Sequence, residues 1–289
     1  MIPRPFAYER PSTVEEAVAL LAGAGDRDVK VLAGGQSLIP MLSLGLARPD
    51  VLVDVSRLDL AGLEAANGYV RVGAATTHRT LELGREAREL LPLAARVARH
   101  IGNPRVRNRG TFGGSLAHAD PAAELGALLL AQGGAVVARG PGGERRIPAE
   151  DFFLGYLETA LAPDELLVAV ELERPPDGSG VGFEEAAARA DDFAMAAAAA
   201  IVALDADGRA CAEARIALAG VADRPIRASA AEDLVRGEVL DKALFREVQG
   251  AVEASVEPEE DAFVSARFRR RLAGVCAGRA LEQAVKGAA

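Results

Sequence analysis

The chain has 289 residues, half of them hydrophobic and 26% charged, a composition typical of a globular protein rather than a disordered one. The net charge is −9 and no long basic run occurs, which argues against a nucleic-acid partner. Cys211 and Cys276 are too few for a disulfide framework, a zinc site or an iron–sulfur cluster held by this chain alone.

The sequence predicts a cytoplasmic protein with no membrane span. Its longest apolar run, residues 193–204, is too short and too rich in alanine to cross a bilayer. The N-terminal segment lacks the apolar core of a signal peptide.

The first 57 residues predict a small α/β unit. Ser12 and Glu15 have the spacing of a capping box, at the start of a helix that Gly23 ends. A strand over residues 29–33 leads into a glycine pair, and a short helix and a buried strand over residues 51–56 follow.

Residues 58–175 predict a larger unit in which short strands alternate with helices. Asp120 is a suitable N-cap for one helix, because Pro121 would then occupy its first position. Gly142 and Gly143 mark the turn of a hairpin. The predicted strands cover 69–75, 135–148 (as the hairpin) and 165–172, and the predicted helices cover 80–83, 90–100 and 121–131.

The segment 174–180, which is rich in proline and glycine, predicts a linker. A C-terminal α+β domain is predicted over residues 176–289. Alanine propensity alone would make residues 193–204 a helix. The Asp207-Gly208 turn and the β-branched residues near it favour a pair of strands instead. Helices are predicted over 230–236, 242–256 and 263–284.

Two glycine pairs flanked by hydroxyl side chains suggest a common ligand. Glycine permits close backbone approach, and a loop that leads into a helix directs N–H groups and a positive dipole end at an anion. One such pair is often only a turn, but a diphosphate held from both sides would explain both. Neither loop has the Walker A pattern or the spacing GxGxxG. The donors are Gly34, Gly35, Gln36 and Ser37 in the first loop, and Thr111, Gly113, Gly114 and Ser115 in the second.

The motifs "LAGGQSLIP", "GAATTH", "IGNPRVRNRGTFGGSLAHADPAAE" and "DELLVAVEL" resemble the FAD-binding medium subunit of the xanthine dehydrogenase and aerobic carbon monoxide dehydrogenase family. The resemblance covers essentially the whole chain. It implies a two-subdomain FAD-binding fold, with residues 1–57 as the small α/β subdomain and residues 58–175 as the second, α+β subdomain. A C-terminal domain with a three-stranded antiparallel sheet and helices would follow.

The same resemblance implies which residues contact FAD. The pyrophosphate would lie between the two loops, Asp120 would lie near the flavin end, and Ile101, Leu167 and Phe193 would form apolar walls for the ring. Lys30 precedes the first loop, where it could neutralise a phosphate oxygen or remain a solvated surface lysine. The remaining implied contacts are Leu32, Ala33, Gly34, Gly35, Gln36, Ser37 and Leu38 on the first side, and Thr77, Thr111, Gly113, Gly114 and Ser115 on the second.

Three residues depart from the family pattern without altering the glycine pairs. Phe112 stands where isoleucine is often found, and Arg105 stands where glutamine is common. Phe193 stands where tyrosine is frequent, so this chain has no hydroxyl at that position for any hydrogen-bonding role.

The family role implied for the chain is electron transfer. A large molybdenum-cofactor subunit would oxidise the substrate, a small [2Fe-2S] subunit would relay electrons to the FAD of this chain, and an external acceptor would receive them. The assembly would be a heterotrimer or a dimer of heterotrimers. Substrate and acceptor are not fixed by this sequence. No catalytic acid or base is assigned to this chain, since the chemistry belongs to the cofactor.

Other functions remain as alternatives. His118, Asp120 and Glu124 have ligand types that suit zinc or iron, although such a site would leave the glycine pair unexplained. A non-redox nucleotide-binding module could use the same loops, and a self-contained FAD-dependent oxidoreductase could bind its own substrate. A serine hydrolase is disfavoured because Ser37 and Ser115 lack the GxSxG elbow.

Overall fold

Three short parallel strands form the N-terminal sheet of the computed structural model, which describes residues 4–288. The elements are β1 (Ala7–Glu9), α1 (Val14–Ala22), β2 (Val29–Leu32), α2 (Leu38–Leu44) and β3 (Val51–Asp54). The strand order is β1–β3–β2, and all four residues of the central strand β3 are buried. Because the strands are parallel, the loop between β2 and α2 leaves from the carboxyl edge of the sheet.

Helix α1 begins one position later than the sequence predicts. Its N-cap is Thr13, whose hydroxyl accepts a hydrogen bond from the Glu16 N–H at 3.1 Å. The Glu16 carboxylate accepts from the Ser12 N–H at 2.7 Å. The capping box predicted at Ser12 and Glu15 is therefore wrong by one residue. Thr13 and Glu16 have the same three-residue spacing and cap the helix instead. Gly23 ends the helix as predicted.

A five-stranded antiparallel sheet and a group of short helices form the second unit. In chain order the elements are β4 (Leu63–Ala66), β5 (Tyr69–Gly73), α3 (His78–Leu83), α4 (Arg85–Leu90), α5 (Pro92–Val97), α6 (Pro104–Arg107), α7 (Phe112–His118), α8 (Glu124–Gln132), β6 (Gly134–Gly140), β7 (Gly143–Pro148), α9 (Ala149–Phe152), β8 (Phe153–Gly155), β9 (Glu158–Thr159) and β10 (Leu166–Glu173). The strand order is β4–β5–β10–β6–β7, and β8 forms a separate two-stranded sheet with β9. The hairpin predicted around Gly142 and Gly143 is confirmed as β6 and β7.

The helix predicted over residues 90–100 is wrong in its bounds. Pro92 has no N–H to continue the hydrogen-bond ladder of α4, so α4 ends at Leu90 and α5 starts at Pro92. Helix α8 is buried along its whole length, because it packs between this unit and the C-terminal sheet.

The C-terminal unit contains a four-stranded antiparallel sheet, not the three strands that the family resemblance implied. The elements are β11 (Gly180–Ala187), β12 (Ala194–Leu204), β13 (Cys211–Ala219), β14 (Ile226–Arg227), α10 (Ser229–Val235), α11 (Lys242–Ser255) and α12 (Ala266–Gly287). The sheet runs in the order β11–β12–β13–β14. The fourth strand has two residues, paired with Ala217 and Leu218, and is too short to leave a periodic signal in the sequence. Within residues 4–288, no helix combines the length and apolar character needed to cross a bilayer.

The alanine-rich run is a strand, as the turn at Asp207-Gly208 predicted. Its residues alternate between two hydrophobic cores. Ala196, Ala198 and Ala200 belong to the core under the C-terminal helices. Ala197 and Ala199 belong to the core shared with the second unit. Both faces of β12 are therefore buried, and small side chains let helices pack closely on each side.

The close contact between β11 and α12 generates a test of this packing. A Cβ added at Gly182 would lie 1.8 Å from the Ala280 carbonyl oxygen. Gly182→Ala should therefore lower the free energy of unfolding by about 2 kcal/mol or more, because the helix backbone must move. Urea titration gives the value. Gly142→Ala is the matched control, since a Cβ there meets no atom within 4 Å. Equal stability of the two variants would contradict the packing described.

Candidate functional site

The first glycine loop connects the end of β2 to the start of α2. Gly35 has φ +76°, a left-handed conformation that favours glycine. The Gly35 carbonyl accepts from the Ile39 N–H at 3.1 Å, and the Gln36 side-chain amide donates to the Gly34 carbonyl at 3.1 Å. The loop is thus held by its own backbone while it turns from the strand into the helix.

Four consecutive backbone N–H groups of this loop are free. Within residues 4–288, those of Gly35, Gln36, Ser37 and Leu38 donate to no protein acceptor. They stand at the N-terminal end of α2, where the helix dipole is positive. The Ser37 side chain makes no capping hydrogen bond, so its hydroxyl is also free to donate. An anion with several oxygen acceptors satisfies this set of donors.

The second glycine loop differs, because its amides are already used. Phe112 N–H donates to the Thr76 carbonyl at 2.8 Å, and Gly113 N–H donates to the Ala74 carbonyl at 2.9 Å. Gly114 and Ser115 N–H groups both donate to Thr111, to Oγ1 at 3.1 Å and to the carbonyl at 3.0 Å respectively. The expectation of a second set of free amides is therefore wrong. This loop can offer the Thr111 and Ser115 hydroxyls.

The two loops are in direct contact. A Cβ added at Gly34 would lie 2.1 Å from the Arg109 carbonyl oxygen and 2.8 Å from the Gly110 Cα. A Cβ added at Gly114 would lie 3.5 Å from the Ala33 Cβ. The first loop therefore packs edge to edge on the backbone that leads into α7, and glycine at position 34 is what permits this approach.

Thr77 links the second loop to the sheet. It forms an isolated antiparallel bridge with Thr111, and the His78 N–H donates to the Gly110 carbonyl at 3.0 Å. The Thr77 hydroxyl caps α3 by accepting from the Thr80 N–H at 3.1 Å. Thr77 and Thr111 therefore lie beside each other, each at the start of a short helix.

The outer residues of the proposed site differ in environment. Lys30 is exposed, and its ammonium lies 3.4 Å from the Asp28 carboxylate. Leu32 and Leu38 are half-buried next to the first loop. Of the three proposed ring contacts, Ile101 and Leu167 are buried in the core of the second unit, whereas Phe193 is 65% exposed.

Asp120 does not cap a helix. Helix α8 starts at Glu124, with Ala123 as its N-cap, so the prediction of a helix from Pro121 is wrong. The Asp120 carboxylate instead accepts from the Ala122 N–H at 2.9 Å, in the turn between α7 and α8. Proline at 121 and this side-chain bond favour a separate turn before the helix.

The metal alternative finds no support in the geometry. Across residues 4–288, no group of three or more His, Cys, Asp and Glu side chains lies close enough to hold a metal ion. His118, Asp120 and Glu124 therefore do not form such a site.

Several residues that position the second loop were not anticipated from the sequence. A Cβ at Gly110 would lie 2.7 Å from the His78 ring, and one at Gly113 would lie 2.6 Å from the Ala74 Cβ. Burial and the neighbouring Arg107 guanidinium lower the pKa of His78 to about 4, so this ring is neutral at physiological pH. The signal available was Gly110 itself, one residue before the motif TFGGS.

Arg107 holds the turn that precedes the second loop. Its guanidinium donates to the Ile101 and Gly102 carbonyls at 3.1 and 2.6 Å and pairs with the Glu82 carboxylate at 2.8 Å. These contacts fix the segment between Ile101 and Gly110 against α3.

Two family models together match most of the chain. Residues 4–175 match the family model for the FAD binding domain in molybdopterin dehydrogenase, and residues 182–284 match the CO dehydrogenase flavoprotein C-terminal domain. The chain is 37% identical to the 6-hydroxypseudooxynicotine dehydrogenase complex subunit alpha of Paenarthrobacter nicotinovorans, covering 99% of this chain and 96% of that one.

Carbon monoxide dehydrogenases give equally extensive matches. The medium chain from Afipia carboxidovorans is 37% identical, with 98% of each chain covered. A solved structure of the enzyme from Hydrogenophaga pseudoflava superposes with a TM-score of 0.96 at 38% identity, covering all of both chains. The fold is therefore that of a two-domain protein with an FAD-binding part and a C-terminal flavoprotein domain.

The N-cap of α7 generates a test that does not depend on any ligand. Thr111→Val removes the acceptor for the Gly114 N–H and should cost about 1 kcal/mol in the free energy of unfolding. Thr111→Ser keeps the oxygen and should recover most of that loss. Chemical denaturation of the chain without added cofactor measures both. A valine variant as stable as the serine variant would show that this cap contributes nothing.

Proposed function

This chain belongs to the family of FAD-binding medium subunits of molybdenum hydroxylases, and on that premise we propose that its two glycine loops hold the FAD pyrophosphate between them. The chain is the FAD-binding, electron-transferring component of an oxidoreductase complex. The observation that carries the assignment of the site is the contact of Gly34 with Arg109 and Gly110, which brings four free amides beside the second loop.

The first loop supplies the main anchor for the phosphates. The amides of residues 35–38 point from the N-terminal end of α2, and no acidic residue occurs within either glycine motif to repel an anion. Lys30 contributes little, since its charge is paired with Asp28 and exposed to solvent. The phosphates are therefore held mainly by backbone dipoles and hydroxyls.

The second loop supplies hydroxyl donors and a fixed wall. Ser115 and Thr111 offer side-chain oxygens, while Gly113 and Gly114 let the first turn of α7 pack closely against Ala74 and the Thr111 side chain. Thr77 stands next to Thr111 and adds a third hydroxyl at the same edge.

The flavin ring would lie toward Ile101, Leu167 and Asp120. The two apolar residues exclude water from one side of the ring, and the Asp120 carboxylate presents a polar group to its edge. Phe193 is sufficiently exposed to cover the other side when a ring is present. Bound flavin supplies the electron-accepting chemistry, and these residues orient it.

Electrons would enter from partner subunits that carry the metal centres. Both cysteines of this chain are buried, and burial raises the pKa of both thiols, that of Cys276 to about 12. Two buried cysteines cannot supply the four thiolate ligands that a [2Fe–2S] cluster takes. We assign the clusters to a small [2Fe-2S] subunit and the molybdenum cofactor to a large subunit, in a heterotrimer or its dimer. A cytoplasmic location stays a prediction from the sequence.

A variant at the loop contact tests the site. Gly34→Ala places a methyl group against the Arg109 backbone, so the loops must separate. We expect at least tenfold weaker retention of FAD, measured by flavin absorbance per chain after gel filtration, with an unchanged circular dichroism spectrum. Gly142→Ala, in a remote hairpin turn, should retain FAD like the unmodified chain. Unchanged FAD content in Gly34→Ala would place the pyrophosphate elsewhere.

Co-expression with a molybdenum subunit and an iron–sulfur subunit tests the electron-transfer role. The expected result is a complex in which substrate bleaches the flavin absorbance, whereas the isolated yellow chain gives no such response to the same substrate. Bleaching by substrate in the isolated chain would favour a self-contained oxidoreductase. A colourless chain that binds ATP would favour a nucleotide-binding module.

A further inference from the structure

The short hairpin of β8 and β9 presents apolar side chains to solvent. Strand β8 alternates between buried and exposed residues, so Phe153 and Gly155 face the protein and Leu154 faces outward. Tyr156 and Leu157 follow at the turn and are also exposed. The exposed fractions are 48%, 70% and 40% for Leu154, Tyr156 and Leu157, which together form the hairpin tip. Turns ordinarily carry glycine, asparagine or other polar residues, so an apolar tip requires an explanation.

Leu157 adopts a backbone conformation that leucine rarely takes. Gly155 and Glu158 pair across the hairpin, so Tyr156 and Leu157 form the two-residue turn between them. Leu157 has φ +56°, in the left-handed region that glycine and asparagine occupy more readily than leucine does. Folding alone therefore favours another residue at this position. A contact outside the chain explains an apolar side chain there.

The hairpin is anchored on both sides of its tip. Arg224, from the loop between β13 and β14, donates to the Leu154 carbonyl at 2.9 Å. Arg145, on β7, donates to the Ala160 carbonyl at 2.7 Å. Phe153 lies in the hydrophobic core of the second unit. The tip is therefore presented in a fixed position, and binding to it costs little conformational entropy.

Carboxylates without counter-charges lie beside the tip. The Glu158 and Asp223 carboxylates are both 3.7 Å from the position that a Cβ at Gly155 would take. Glu150 and Asp151, on α9 just before the hairpin, are exposed. Among the described residues, none of these four carboxylates forms an ion pair or a side-chain hydrogen bond. The hairpin tip is thus bordered by acidic residues.

The two arginines that anchor the hairpin do not cancel this charge. Arg145 is paired with Glu165, whose carboxylate lies 2.6 Å away. Arg224 is exposed and contributes one positive charge against the four carboxylates named above. The surface around the tip is therefore acidic, and a partner that fits it carries positive charge.

We propose that the hairpin tip docks onto a partner subunit of the same complex, in an apolar hollow bordered by lysine or arginine side chains. This partner chemistry follows from apolar residues at the centre of the surface and acidic residues at its edge. Nucleic acid and anionic lipid do not fit, because the four carboxylates repel phosphate groups. The identity of the partner as a subunit of that complex rests on the proposed function.

The variant Leu157→Asn separates docking from folding. Asparagine tolerates the left-handed conformation, so the folding equilibrium constant of the isolated chain should stay within about threefold of the original value or rise. Urea denaturation measures it. A fall of more than about tenfold would show that Leu157 serves the fold, and the proposal would then be overturned.

Binding to purified partner subunits measures the docking. The probes are a molybdenum subunit and an iron–sulfur subunit, and the Kd of this chain for their complex is determined. Tyr156→Ser and Leu157→Asn should each raise the Kd at least about tenfold, the effect of losing a central interface side chain. Phe263→Ser is the matched control, because it removes a side chain that is 94% exposed and lies before α12. Its Kd should equal that of the unmodified chain.

Two further measurements test the chemistry of the partner. Glu158→Gln should slow association and weaken its dependence on salt, whereas Glu259→Gln, at another exposed position, should change neither. A photoreactive phenylalanine analogue in place of Tyr156 identifies the segment that receives the tip. Cross-links to an apolar segment flanked by lysine or arginine support the proposal, and cross-links to an acidic or uncharged segment overturn it.

The same binding experiment distinguishes this proposal from the proposed function. If the unmodified chain binds the partner subunits and the two tip variants bind equally well, the docking is refuted and the electron-transfer role stands. An equal loss of binding in Phe263→Ser would also refute the docking, since the effect would not be specific to the tip. If the unmodified chain binds neither subunit, the assembly in the proposed function and the docking are both refuted.

Discussion

The close approach of two backbones is the constraint on which the cofactor site depends. Gly34 lies against Arg109 and Gly110 with no room for a Cβ, so the loop after β2 and the loop before α7 share one surface. These segments are some eighty residues apart. The first follows a strand of the N-terminal sheet, and the second lies between two helices of the second unit. The site is therefore built by the docking of two units, and anything that separates the units also separates the phosphate donors.

The two loops contribute in different ways although their sequences look alike. In the first loop the chain turns from a strand into a helix, and the amides of Gly35 to Leu38 donate to no acceptor in the described part of the chain. In the second loop the same kind of residues bond to Ala74, Thr76 and Thr111. The amides of the second loop are thus used in hydrogen bonds that hold this loop in place. A rigid wall opposite a set of free donors is a preorganised anion site, since little reorganisation accompanies binding.

The C-terminal unit is tied to the second unit by a strand whose two faces belong to different cores. Alanine at alternate positions of β12 packs under the C-terminal helices on one face and against α8 on the other. The same junction carries Glu124, buried at the start of α8, and burial raises the pKa of its carboxyl group to about 7.

The sequence by itself determined the local features. Hairpin chemistry at Gly142-Gly143 and at Asp207-Gly208 specified the paired strands, and Gly23 specified a helix end, because each depends on neighbours a few residues away. The resemblance to a known family predicted FAD as the cofactor, and the family match confirms this prediction. Three local predictions were wrong. The cap of α1 is Thr13 rather than Ser12, and α8 starts at Glu124 rather than Pro121. The C-terminal sheet has a fourth strand, which is only two residues long.

Only the tertiary structure decided which polar groups were free. Whether an amide donates to a ligand or to its own protein depends on the partners that folding brings to it, as the two glycine loops illustrate. Glu124 shows the same dependence on packing. Burial of α8 along its whole length raises the pKa of the Glu124 carboxyl group to about 7, and nothing in its sequence context marks this residue as buried.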